Sequence, residues 1–217
     1  MSEGVKPMET KVQVIFYSMY GHVHKLAVAI ATGAMEVPGV KADLFQVAEL
    51  VPEEALKASG GAAARKAFAE VPLAVPERMA EADAIIFGAP TRFGNMAAQM
   101  RNFLDQTGRL WNEGALLGKV GSAFSSTGTQ HGGQETTILS FHTTMLHHGM
   151  IIAGLPYALA PALSQGEEMS GGTPYGATTI ASGNGARQPS PMELEMARIQ
   201  GRYVADLAAA LKRGKRA

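Results

Sequence analysis

Three short stretches of this sequence combine glycine with hydroxyl or amide side chains, a combination that can bind an anion. They are Ser18 to Val23, Ala89 to Asn95 and Ser126 to Gln134. Each follows an apolar run, and the first and third lead into segments with helical periodicity. Because the first amides of a helix lack intrahelical partners, they can bind a phosphate group. A simple turn is the commoner interpretation of any one stretch, but three at corresponding positions favour a binding site.

The motifs narrow the class of phosphate ligand. The fingerprint GxGxxG is absent and the first stretch holds one glycine, so a mononucleotide fits better than a dinucleotide. GALLGKV (114–120) is one residue short of a Walker A loop, which disfavours a nucleoside triphosphatase. Neither His22 with His24 nor His147 with His148 has metal-ligand spacing, so we predict no metal site. The chain has no cysteine, and redox chemistry would therefore require a bound cofactor.

Apolar runs predict the strands that would carry these stretches, and most of them are continuous, as is typical of parallel strands covered on both faces. The predicted strands span residues 11–17, 40–47, 83–88, 119–125 and 150–155. Helical periodicity separates most of them, and the predicted helices span residues 23–37, 95–107, 134–148 and 194–211. This alternation predicts an α/β domain with helices on both faces of one parallel sheet. Ligands of such sheets bind beyond the carboxyl ends of the strands.

Two segments are longer than such a core requires. Residues 48–81 are rich in alanine and are expected to hold short helices, one of them starting at Pro76. Residues 156–191 are rich in glycine, threonine and proline. A connection of that length inside a domain is usually a functional loop or a disordered segment.

The composition of the chain bears on its domain organisation, its partners and its location in the cell. The 217 residues fit one domain, which we expect over 11–211 with a disordered tail over 1–10 and a basic tail over 212–217. Lys and Arg total 19 and so do Asp and Glu, so the net charge does not attract nucleic acid or a membrane surface. No apolar run reaches the roughly 20 residues of a membrane span. The N-terminus lacks an apolar signal core, and we therefore expect a cytoplasmic protein.

Longer motifs identify a family. The motifs are SMYGH (18–22), PTRFGNMAAQMRNFLDQTGRLW (90–111), SSTGTQHGGQE (125–135), LHHGM (146–150) and GGTPYGATTIASGNGARQPS (171–190). Together they resemble the flavodoxin-like quinone reductases of the WrbA family (tryptophan-repressor-binding protein), also called type IV NAD(P)H:quinone oxidoreductases. The resemblance runs from about Lys11 to Leu211 and is weak over 48–81.

The resemblance implies a flavodoxin-like, doubly wound sheet of five parallel strands in the order 2-1-3-4-5, with long insertions. It also implies a homotetramer and non-covalent FMN at the switch point of the sheet. The residues expected at FMN are Ser18, Met19, Tyr20, Gly21, His22, Val23, Thr91, Arg92, Phe93, Ser126, Thr127, Gly128, Thr129, Gln130, His131 and His147.

Further roles follow from the same resemblance. Tyr20 is expected to contact the nicotinamide nucleotide, Trp111 to line a quinone pocket, and His147 to be a candidate catalytic proton donor. The sequence departs from related patterns at two places. Val23 stands where ordinary flavodoxins often have a hydroxyl, so backbone amides must hold more of the phosphate. The loop at Gln130 and His131 is one residue longer than in some members of the family.

The activity implied is an FMN-dependent NAD(P)H:quinone oxidoreductase that reduces quinones to hydroquinones in a two-electron, ping-pong reaction, with NADH or NADPH as co-substrate. One alternative is a one-electron flavodoxin-type carrier, although zero net charge argues against the acidic docking face usual for such carriers. A second alternative is a regulatory protein-binding module, suggested by the family's name. No helix rich in Arg or Lys supports direct reading of DNA.

Overall fold

The sheet has parallel strands in the order expected from the resemblance. The computed structural model describes residues 9–164 and 169–214. Its strands are β1 (Thr10–Phe16), β2 (Val40–Gln46), β3 (Ala84–Arg92), β4 (Asn95–Met96), β5 (Val120–Thr127), β6 (Ile151–Ile152) and β7 (Thr178–Ile180). The order β2-β1-β3-β5-β6 confirms the predicted 2-1-3-4-5 when β4, which pairs only with β3, and β7 are set aside.

The fifth strand of the sheet is interrupted, whereas a continuous strand over 150–155 was expected. β6 pairs with Val120 and Gly121, at the start of β5. β7 pairs with Ser125 to Thr127, at the end of β5. Since β3 occupies the other edge of β5, β6 and β7 lie on one edge, with the segment between them inserted into a single strand position. The Ala153 N–H still donates to Gly121 O of β5 at 2.8 Å, whereas the Leu155 N–H, two residues later, donates to Pro174 O at 2.9 Å, so the chain leaves this edge after Ala153.

Helices cover both faces of the sheet. They are α1 (His22–Met35), α2 (Glu53–Ala58), α3 (Gly61–Arg65), α4 (Ala98–Asp105), α5 (Gly108–Asn112), α6 (Gln134–His147) and α7 (Pro191–Gly214), with 3-10 turns at Lys66–Phe68, Pro76–Glu81 and Pro161–Ser164. One core holds Val14 and Phe16 of β1 with α1 and α7, and the other holds Ile15 and Tyr17 with α4 and α6. Alternate residues of β1 are thus buried on opposite faces, which explains its continuous apolar run. Within the described residues, no helix is both long and apolar enough to cross a membrane.

Several predicted boundaries change. The predicted helix over 95–107 was wrong at its start, because Asn95 and Met96 pair with β3 and α4 begins only at Ala98. The helix expected from Pro76 is a 3-10 turn. Of the expected tails, Thr10 belongs to β1 and Lys212 belongs to α7. The remainder, residues 1–8 and 215–217, lies outside the described residues, as do residues 165–168 of the second long segment.

Helices α1 and α7 cross with their backbones in contact. A Cβ placed on Gly33 would lie 1.9 Å from the carbonyl oxygen of Arg198, and one placed on Gly201 would lie 1.9 Å from that of Ile30. These distances are far below van der Waals contact, so the two glycines permit the crossing reciprocally. The crossing positions α1, and therefore the loop that precedes it.

We expect Gly201→Ala to lower the free energy of unfolding by about 2–3 kcal/mol, because the added methyl group forces the two helices apart. Urea unfolding followed by circular dichroism measures the change. Gly214→Ala in the same helix is the control, since a Cβ there meets nothing within 4 Å. Equal unfolding midpoints for the two variants would contradict the role given to the crossing.

Candidate functional site

A cleft opens where the carboxyl ends of β1, β3, β5 and β7 meet at one edge of the sheet. Its volume is about 500 Å³. Of the residues expected at FMN, it is lined by Ser18, Met19, Tyr20, His22, Val23, Thr91, Arg92, Ser126, Thr127 and Gly128. The three stretches singled out in the sequence therefore converge on one concave site. A cavity of this size is typical of sites for small molecules and cofactors.

The loop between β1 and α1 presents hydrogen-bond donors to the cleft. The buried Ser18 hydroxyl accepts the Gly21 N–H at 3.1 Å, and Gly21 adopts a left-handed φ of 92° that favours glycine. The first N–H of α1 with a helical acceptor is that of Lys25, which donates to Gly21 O at 3.0 Å. The preceding N–H groups, those of His22 to His24, have no acceptor within the helix. Together with the helix dipole they make this end of α1 suitable for an anion.

His22 lies in this loop with its ring buried. It is 5% exposed, and its Nε2 has no hydrogen-bond partner among the described residues. Burial lowers the pKa of His22, while the backbone of Arg187 and Gly185 partly opposes this effect. The imidazole is therefore predominantly neutral at pH 7. In the part of the chain that the structure describes, no group of three His, Asp or Glu side chains converges as a metal site.

The second wall is a hairpin formed by β3 and β4. Phe93 and Gly94 have φ values of 53° and 77°, as required for a two-residue type I′ turn. The Thr91 hydroxyl accepts the Gly94 N–H at 3.2 Å and the Thr137 hydroxyl at 2.9 Å, so it is used within the fold. The Arg92 guanidinium donates to Thr91 O at 2.9 Å. Phe93 is fully exposed at the tip of the turn and does not line the cleft.

The third wall is the end of β5 and the turn after it. The Thr127 hydroxyl donates to Thr129 O at 2.7 Å, and Thr129 O also accepts the Gly132 N–H at 3.2 Å. This turn leads the chain out of the cleft, so Thr129, Gln130 and His131 do not line it. Their expected contacts with FMN stay predictions.

His147 and Trp111 lie at the opposite end of the sheet from the cleft. α6 begins beside Thr127 at the cleft and runs 14 residues, about 20 Å, to His147. His148, the next residue, contacts the Thr107 hydroxyl at 2.9 Å through Nε2. The backbone N–H of Trp111 in turn donates to the backbone carbonyl of Thr107 at 3.0 Å. Both predicted residues are thus close to one another, exposed and far from the cleft of their own chain.

Two parts of the cleft were not assigned from sequence. One is Ser59 and Gly60, between α2 and α3, and the other is Ala181 to Gly185, after β7. The Ala181 N–H donates to Thr127 O at 2.7 Å, and the Gly185 N–H donates to Ser182 O at 3.0 Å in a turn. The signal was the glycine-rich turn sequence after the β-branched run of β7. It was missed because this edge was assigned to residues 150–155 alone.

Glu193 fixes the position of the turn of residues Ala181 to Gly185. Ser190, Pro191 and Glu193 form a capping box at the start of α7, in which the Ser190 N–H donates to Glu193 Oε2 at 2.7 Å and the Glu193 N–H donates to the Ser190 hydroxyl at 3.2 Å. The carboxylate also accepts Arg187 Nη1 at 2.9 Å and the Thr179 hydroxyl at 2.8 Å. Glu193 therefore ties both sides of the Ala181 to Gly185 turn to α7.

Glu193 is fully buried and yet ionised. Burial raises the pKa of its carboxyl group, but hydrogen bonds from Arg187, from the N–H groups of Ser190 and Gly171 and from the Thr179 hydroxyl lower it by more. The net effect is a pKa below the usual range for glutamate.

The sequence and the fold are similar to those of known proteins. The sequence profile of the NADPH-dependent FMN reductase family matches residues 11–163. A protein of Trichlorobacter lovleyi named NAD(P)H dehydrogenase (quinone) is 63% identical over 202 residues, covering 93% of this chain and 98% of that protein. An Aromatoleum aromaticum protein of the same name is 61% identical over 207 residues, covering 95% and 100%. A solved WrbA-like flavodoxin from Agrobacterium tumefaciens shares the fold, with a TM-score of 0.63 at 24% identity over 93% of this chain and 99% of that one.

We expect Glu193→Gln to lower the free energy of unfolding at pH 7 by about 3 kcal/mol, because Arg187 loses its buried partner. Since the folded-state pKa of Glu193 is lowered, its contribution is full above the unfolded pKa of about 4.3 and is lost as pH falls through the folded pKa. Wild type and variant should therefore converge in acid, as measured by urea unfolding from pH 7 to pH 3.

The control for this experiment is Glu195→Gln in the same helix. Glu195 forms an exposed ion pair with Arg198, and its loss should change stability by less than about 1 kcal/mol. A constant difference between wild type and Glu193→Gln at every pH would contradict the assignment.

Proposed function

The chain belongs to the NADPH-dependent FMN reductase family, and we propose that it is an FMN-dependent NAD(P)H dehydrogenase that reduces quinones to hydroquinones. The observation that carries this proposal is the cleft itself, where an uncapped helix N-terminus and a buried serine meet three further strand ends. The relatives named NAD(P)H dehydrogenase (quinone), at 54–63% identity, support the choice of substrates.

The residues of the cleft fit FMN. The unpaired amides at the start of α1 and the Ser18 hydroxyl would hold its phosphate. Val23 would contribute only its backbone N–H, because its side chain has no hydrogen-bonding group. Thr91 and Arg92 would border the ring system, and Ser126 to Gly128 would cover the ribityl chain. The buried Nε2 of His22, which has no partner among the described residues, lies in the same loop. FMN supplies the chemistry of accepting a hydride from NAD(P)H and passing two electrons to a quinone.

The protein groups orient and tune that chemistry. The Arg92 side chain is held against the Thr91 carbonyl and Met19 at the mouth of the cleft, where its positive charge favours an anionic reduced cofactor. Tyr20 is 44% exposed at the same mouth and would contact the nicotinamide ring. Because NAD(P)H and quinone would approach through this mouth, each would bind only after the other had left.

Trp111 and His147 would act on the cleft of a neighbouring subunit. Within one chain α6 separates them from the cleft by its whole length. Exposed apolar side chains occur in the same part of the chain, namely those of Leu117, Leu146 and Ile151. An apolar surface of this kind suits contact between subunits, in line with the homotetramer that the resemblance implies. In such an assembly Trp111 would line the quinone pocket, and His147 would donate a proton to a quinone oxygen.

The test of the proposed function is steady-state kinetics of the FMN-loaded protein with NADH and benzoquinone. Double-reciprocal plots at several fixed benzoquinone concentrations should give parallel lines, because the substrates alternate in one site. Intersecting lines would overturn the shared-site scheme. Loss of all activity on removing FMN, with recovery on adding it back, is expected, and activity without FMN would overturn the cofactor assignment.

Trp111→Ala should raise the KM for benzoquinone roughly tenfold through the loss of ring stacking, while the Kd for FMN stays within twofold. Flavin fluorescence titration measures the Kd. Leu117→Ala is the matched control, because this exposed residue lies on the same surface without an aromatic ring. An equal rise in KM for both variants, or a parallel loss of FMN affinity, would contradict the role given to Trp111.

A further inference from the structure

An ion pair lies beneath the loop of residues 18–23 and is formed by Arg65 and Glu49 of the segment 48–81. Arg65, at the end of α3, lies 3.4 Å from Glu49 Oε2 through Nη1. Both side chains are largely buried, with exposures of 16% and 14%. A pair this enclosed is screened by solvent much less than a surface pair. A neighbouring group that lies closer to one of the two charges therefore experiences a net field from that charge.

The positive end of the pair contacts the loop directly. Arg65 Nη1 donates to the carbonyl oxygen of Ser18 at 3.0 Å, and Nη2 donates to Gln46 Oε1 at 3.1 Å. The guanidinium carbon also lies 5.4 Å from the centre of the Phe68 ring and 5.9 Å from that of the Tyr17 ring. These contacts come from three sides and leave the guanidinium one orientation.

The negative end of the pair is directed away from the loop. Glu49 accepts the Tyr17 hydroxyl at 2.9 Å, Gln99 Nε2 at 2.7 Å and the Val51 N–H at 3.0 Å. Burial raises the pKa of Glu49, but these hydrogen bonds and that of the Leu50 N–H lower it by more, so the carboxylate is ionised at pH 7. Its donors are Tyr17, which directly follows β1, Gln99 of α4 and backbone groups of the chain after β2, and none of them belongs to the loop of residues 18–23.

The bond to Ser18 fixes one peptide group of the loop. In a trans peptide the carbonyl and the following N–H point in opposite directions. Since the Ser18 carbonyl points at Arg65, the Met19 N–H points away from it. A donor on a carbonyl oxygen also polarises the peptide, which makes that N–H a stronger donor.

We propose that Arg65 is a positioning residue for the phosphate group of FMN: it orients and polarises the Ser18–Met19 peptide and adds positive charge beneath the loop, while Glu49 sets how much of that charge the loop experiences. This inference rests on the proposed function, because FMN is the ligand concerned. It predicts that the two members of one ion pair have opposite effects on phosphate recognition. A purely structural pair would not show this, because breaking it from either side would disturb the loop in the same way.

The experiment compares FMN with riboflavin, which has the same ring and ribityl chain but no phosphate. Flavin fluorescence titrations of the full chain, freed of bound flavin, give both Kd values for each variant. Arg65→Met should raise the Kd for FMN about tenfold, the scale expected of one partly screened charge near a dianion, and leave the Kd for riboflavin within twofold. Arg65→Lys, which keeps the charge, should recover most of the FMN affinity. Glu49→Gln should lower the Kd for FMN, because the loop then experiences more of the Arg65 charge.

Lys66→Met is the matched control, because Lys66 is the exposed cation next to Arg65 and should affect neither Kd by more than twofold. Circular dichroism and the unfolding midpoint report whether each variant is folded, and Arg65→Lys serves if Arg65→Met is not. Equal losses of FMN and riboflavin affinity in Arg65→Met, or an unchanged or raised Kd for FMN in Glu49→Gln, would overturn the inference alone. A wild-type protein that binds neither flavin would instead overturn the proposed function.

Discussion

The hydrogen-bond donors at the start of α1 have no acceptor within their helix, and the cleft is formed around these unpaired N–H groups. Water could satisfy these N–H groups, but the fold places them at the floor of a concave site beside the buried Ser18 hydroxyl. The position of α1 is set by its glycine crossing with α7, and the loop before it is held from below by Arg65. Parallel strands end at the same edge, so the other walls of the cleft follow from the same topology.

Much of the fold could be predicted from sequence because strand and helix periods differ. The apolar run of β1 and the stripe of α1 are long enough to be unambiguous, and both were placed within a residue or two. Where a local feature competed with periodicity, prediction was less accurate. The type I′ turn at Phe93 and Gly94 shortened α4, because strand pairing at Asn95 excluded a helical start. The interrupted fifth strand depends on pairing with β5, which no local pattern reveals.

The candidate site shows the same division. Loops that leave a predicted strand, such as the one containing Ser18, could be assigned because topology alone brings strand ends together. The Ala181 to Gly185 turn and Arg65 could not, since each reaches the cleft through tertiary contacts with sequence-distant partners. His147 and Trp111 show a further limit. Their motif was recognised, but a single chain leaves them at the far end of the sheet, so their expected role depends on assembly.

The crossing of α1 with α7 has a consequence for the order in which the molecule forms. Residues near position 30 are in backbone contact with residues near position 200, and Glu193, in the same late helix, holds one wall of the cleft. A growing chain therefore cannot complete its ligand site until nearly all of it has left the ribosome. Contacts so distant along the chain require a large loop to close, which slows the search for the native state. The N-terminal segments are therefore only partly assembled until α7 has been synthesised, and cofactor binding becomes one of the last steps of folding.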